Sequence, residues 1–102
     1  MSQRFSLTDH IQYQAGSVVS REILKTESGS VTLFAFDKDQ GLSEHTTPFE
    51  AMVYVLDGEA EIAVSSKART VKAGEMIHMP ANKPHALKAK KPFKMLLTMI
   101  EA

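Results

Sequence analysis

The chain has no cysteine and no tryptophan among its 102 residues, and its twelve basic and twelve acidic side chains cancel. Without cysteine there are no disulfides, no thiolate metal sites and no thiol nucleophile. Without net charge there is no electrostatic footprint for nucleic acid or for an anionic membrane, so neither is expected as a partner. Long apolar runs are also missing. The N-terminal "MSQRFSLTDHIQYQ" reads as neither a signal peptide nor a membrane span, and the expected location is cytoplasmic. No window of ten or more residues shows a clean helical period with caps, and there are no repeats, low-complexity tracts or linkers. At this length one domain, 1–102, is expected, with residues 1–16 partly peripheral.

What remains is strand-like. Gly41, Pro48, Gly58, Gly74, Pro80, Pro84 and Pro92 punctuate the second half, and short runs rich in Val, Ile, Leu, Met and Phe lie between them. Regular short strands with turn signals predict an all-β sandwich or barrel. The pattern places strands at 17–26, 31–37, 51–56, 59–65, 68–72, 75–79, 86–90 and 93–100. The first sixteen residues leave room for a further short strand or a single helical turn.

The Asp57-Gly58 dipeptide suits a two-residue type I′ hairpin turn, because both central residues need positive φ. Pairing back from that turn puts Ala51, Val53, Val55, Ala60, Ile62 and Val64 on one wholly apolar face, the expected interior. The opposite face carries Met52, Tyr54 and Leu56. That is too apolar for plain solvent, so a second sheet or a partner subunit is expected to cover it. The strand "FKMLLTMI" is apolar on both faces, which adds to the expectation of a homodimer. Carrying the two-residue period back from Ala51 points Thr47 and His45 inward and Glu50 outward, although Pro48 interrupts the count.

With these residues in place, "HTTPFEAMVYVLDG" and "GEMIHMPANKPHALKA" together resemble the two sequence motifs of the cupin family, in its small single-domain bacterial form. The resemblance covers residues 31–100 and implies an antiparallel double-stranded β-helix, the jelly-roll variant called the cupin barrel. In the family, two histidines and a glutamate from the first motif and a histidine from the second hold a metal. Here the first and last histidine positions are His45 and His85. The second histidine position is Thr47, and the glutamate position, counted back from Gly58, is Ala51. Asn82 replaces a motif glycine but tolerates the same left-handed backbone.

Two imidazoles make a weak divalent site unless a third group joins them. His78, His10 or a partner subunit are the candidates for that third ligand. The resemblance therefore implies either no cofactor or a weakly bound divalent transition metal: Zn, Ni, Mn or Fe. The leading expectation is a small-molecule-binding barrel of unassigned activity. Its polar points are His45, Thr47 and His85, and Ala51, Val53, Met76 and Met95 join its lining. The alternative is a metal-dependent dioxygenase or isomerase that uses His45, His85 and a third ligand. A cofactor-free isomerase using the histidine pair as acid and base is a third reading. No helix-turn-helix segment accompanies the barrel, so a transcriptional regulator is not expected.

Overall fold

The structure, a computed structural model, describes residues 3–102. It contains eight strands: β1 (Val18–Thr26), β2 (Gly29–Phe36), β3 (Gly41–His45), β4 (Phe49–Val64), β5 (Lys67–Lys72), β6 (Met76–Met79), β7 (His85–Lys88) and β8 (Phe93–Glu101). All pairings are antiparallel. One sheet runs β1-β2-β8-β4-β6, and the other runs β3-β7-β4-β5. β4 belongs to both, so the two sheets form one curled wall, the double-stranded β-helix that the resemblance to the cupin family implies.

The Asp57-Gly58 dipeptide is not a hairpin turn, and this corrects the expectation of two strands at 51–56 and 59–65. β4 runs through it without a break for sixteen residues. Its first half pairs with β8 and β6, and from Glu59 on it pairs with β5 and β7. Between the halves the register slips. Val55 faces Met95 and Asp57 faces Lys94, which leaves Leu56 as an extra residue. This is a β-bulge, the device by which a strand turns a corner from one sheet to the next. Gly58 is required there. Its φ is 73°, and a Cβ would run into the Pro92 carbonyl. The two-residue hairpin turn lies further on, at Ser65-Ser66, where Val64 pairs with Lys67 and both serines have positive φ (50° and 68°).

A bulge and a two-residue turn shift side-chain parity in the same way. The interior is therefore the set expected from the pattern: Ala51, Val53, Val55, Ala60 and Ile62 are buried, and Val64 packs against them. Phe36 and Phe93 stack at 4.5 Å in the same core. Each fully buried Phe, Leu or Ile contributes about 1.5–3 kcal/mol of transfer free energy. Three further differences concern boundaries. β3 was not expected as a strand, β2 begins two residues before 31, and residues 3–17 hold neither strand nor helix.

Those N-terminal residues form a strap over the outside of the first sheet. Ile11 is buried against Leu33 and Ala35, and Leu7, Tyr13, Leu56 and Leu96 pack around it. The Tyr13 hydroxyl donates to Asp57 Oδ2 at 2.5 Å, at the bulge. Burial first, and then the Asp57 carboxylate, push the Tyr13 pKa up. Lys94, itself buried, donates to the Thr8 carbonyl at 2.6 Å and lies over the Tyr13 ring. The chain itself thus covers Leu56 and Leu96, part of the outer surface for which a partner subunit was expected.

Candidate functional site

The barrel opens into a cavity of about 270 Å³. Its polar lining is His45, Thr47 and His85, and the rest is Leu42, Ala51, Met79, Leu87, Met95, Leu97 and Met99. Local structure fixes the three polar groups. His45 ends β3 and His85 begins β7, directly opposite each other in the register. Thr47 lies in the connection to β4. Its carbonyl accepts from the Asn82 amide at 2.8 Å, and Asn82 adopts the left-handed conformation (φ 66°) that its motif position requires. The second motif's turn is thereby tied to the first motif's chain.

The histidine rings meet edge to face, with Nε2 3.1 Å from Nε2. Each ring's Nδ1 faces a backbone carbonyl: His45 to Ser43 at 2.7 Å, and His85 to Lys83 at 3.2 Å. A carbonyl only accepts, so each Nδ1 carries the hydrogen and each neutral ring turns a bare Nε2 lone pair toward the other. A neutral pair escapes this only if one ring gives up its Nδ1 bond. At 3.1 Å the two Nε2 atoms stand at the separation of an N–H···N hydrogen bond. His85 is buried, and burial pushes its pKa below the ordinary histidine value, with the nearby His45 acting in the same direction.

The geometry fits a divalent metal only in part. Two nitrogens each about 2.1 Å from one ion, at tetrahedral angles or less, lie roughly 3–3.4 Å apart, so the histidine pair could hold one. A third imidazole or carboxylate ligand is missing: among the described residues no three of His, Cys, Asp and Glu come together. His78 does not approach the cavity. It stands on the outer face of β6, 2.7 Å from Glu50 Oε1, with both side chains about half exposed. That bond, with a second from the Ala81 amide, holds the Glu50 pKa below its ordinary value. His10 stacks on Phe5 in the strap. The carboxylate position is occupied by the buried methyl of Ala51.

Two expected lining residues lie elsewhere. Val53 is in the core and does not reach the cavity, and Met76 is exposed on the outer face, opposite Tyr54. β6 alternates, so Ile77 and Met79 turn inward while Met76 and His78 turn outward. Leu42 and Leu87 were not anticipated as lining. For Leu87 the signal was present, since it stands two residues beyond His85 on the same strand.

Several solved structures share the whole architecture. A conserved protein of unknown function from Streptococcus pyogenes is 33% identical, with a TM-score of 0.94 over 100% of this chain and 90% of its own. A cupin 2 conserved barrel domain protein from Leptotrichia buccalis is 38% identical, with a TM-score of 0.92 over 95% of this chain, which spans 47% of that longer one. A cupin superfamily protein from Desulfitobacterium hafniense is 24% identical, with a TM-score of 0.93 over 100% of this chain and 94% of its own. No curated protein matches the sequence. Residues 32–100 match the family model described as a cupin domain, Cupin_2, and the chain therefore belongs to the cupin family.

Proposed function

We propose that this cupin binds a small, mainly apolar molecule carrying one hydrogen-bond donor, and that the donor bonds Nε2 of His45 or His85. The observation that carries this reading is the pair of Nε2 atoms 3.1 Å apart at the wall of an otherwise apolar cavity. Thr47 adds a third polar contact. Its hydroxyl oxygen accepts from the Phe49 amide, which leaves the hydroxyl hydrogen to point at a ligand. The competing reading, a metal-dependent dioxygenase or isomerase, needs a further His, Asp or Glu that the described residues do not bring to the pair.

The same reading takes the protein as a cytoplasmic homodimer. Exposed Leu24 and Ile100, on the part of the outer sheet that the strap leaves bare, support the second copy.

Phenol and toluene test the site, because they share a ring and differ by a hydroxyl. In a titration followed by amide NMR, phenol shifts His85, Ala51 and Leu97. His85→Leu weakens phenol at least tenfold and leaves toluene unchanged. Phenol binding that is equal in the two proteins, or absent from these residues, overturns the reading.

A further inference from the structure

Ala51 leaves a gap in the inner wall where the family places a carboxylate, and two thioethers flank it. In the sheet register Ala51 stands opposite Met79 on β6 and opposite Met99 on β8. The three side chains form one inward-facing row, with neighbouring Cβ atoms about 5 Å apart. Both methionines line the cavity together with His45 and His85. The donors facing that space are therefore two imidazole nitrogens, the Thr47 hydroxyl and the thioethers of Met79, Met95 and Met99, with no carboxylate. Imidazole with thioether is a donor set that selects Cu(I), whereas hard and borderline divalent ions prefer oxygen or a fuller set of nitrogens. Charge points the same way. The cost of dehydrating an ion rises with the square of its charge, so a monovalent ion enters a cavity lined with leucine and methionine far more readily than a divalent one.

We propose that the cavity binds one Cu(I) ion through Nε2 of His45, Nε2 of His85 and a thioether of Met79 or Met99, in preference to divalent ions. This does not rest on the organic-ligand reading, since phenol binding and copper binding are measured separately. The test is anaerobic competition for Cu(I) against the chromogenic chelator bicinchoninate, with copper K-edge absorption on the loaded protein. Wild-type protein withdraws one equivalent of Cu(I) from the chelator and shows a sulfur shell around the copper. The chain has no cysteine, so that sulfur can only be methionine. The double variant Met79→Leu/Met99→Leu conserves volume. It loses the sulfur shell and binds Cu(I) at least tenfold more weakly. Three results overturn the proposal: no copper withdrawn, Zn(II) held as tightly as Cu(I), or a double variant that binds like wild type. Should the double variant fail to fold, the wild-type spectrum alone decides, and a copper site without sulfur overturns the proposal.

Discussion

Two histidine pairs stand on opposite sides of one barrel wall. Inside, His85 is buried against His45 with the two Nε2 atoms 3.1 Å apart. Outside, His78 meets the Glu50 carboxylate at 2.7 Å in an ordinary, half-solvated hydrogen bond. The second pair has the carboxylate that the first lacks, yet it is the first that faces the cavity. The difference comes from strand parity. Glu50 and Ala51 are adjacent in β4, and that single step moves a side chain from the solvent face to the cavity face. The chain carries a carboxylate beside the family's ligand position, on the wrong side of the sheet.

Moving the carboxylate across the wall is the strongest way to break this contrast. Ala51→Glu places an ionisable group at a position only 1% exposed. Without metal it is expected to destabilise the fold by about 3 kcal/mol or more in urea denaturation. The new carboxylate beside His45 and His85 completes a three-ligand set, so Zn(II) should restore most of the loss. A variant that ignores Zn(II), or a wild-type protein stabilised by it as much, contradicts the assignment of Ala51 as the missing ligand position.

A smaller effect sharpens the inner pair. The His85 pKa lies below its unfolded value of 6.5. Between the two values the unfolded chain binds more protons than the folded one, so stability is complete above pH 6.5 and falls as the pH drops below it. Denaturation midpoints across this range should fall more steeply in wild type than in His85→Leu. Parallel slopes would show that the imidazole is not held neutral by its surroundings.

The outer pair should show the smallest effect. Exposed ion pairs contribute little and are screened by salt. Glu50→Gln is expected to leave the melting temperature and phenol binding close to wild type, with any difference vanishing at high salt. Loss of phenol binding in that variant would mean that the two faces are coupled, and the contrast would fail.

Much of the interior was legible in the sequence, because apolar alternation in "AMVYVLDGEAEIAV" survives whichever way Asp57-Gly58 is read. A bulge and a turn both demand positive φ at glycine and both flip parity, so the residues alone could not separate them. The hairpin turn itself, Ser65-Ser66, carries a weak local signal. β3 was missed because "GLSEH" has a single large apolar residue. The strap was invisible for another reason. Its fastenings, Tyr13 to Asp57 and Lys94 to Thr8, join positions 44 and 86 apart in the chain. At the site, the pairing of His45 with His85 followed from two motif positions. The direction of His78 did not, since the proline-containing turn after it prevents counting back from His85. Only the register of β6 against β4 turns His78 and Glu50 outward together and sets Met79 beside Ala51.

Because β4 is shared by both sheets and pinned at its bulge by Gly58, neither sheet has a seam along which it can open alone. Amides on either side of the bulge should exchange with solvent in a single global event rather than as two independent units. Access to the cavity must then come from the rim, where His45 is already exposed, without the barrel ever loosening.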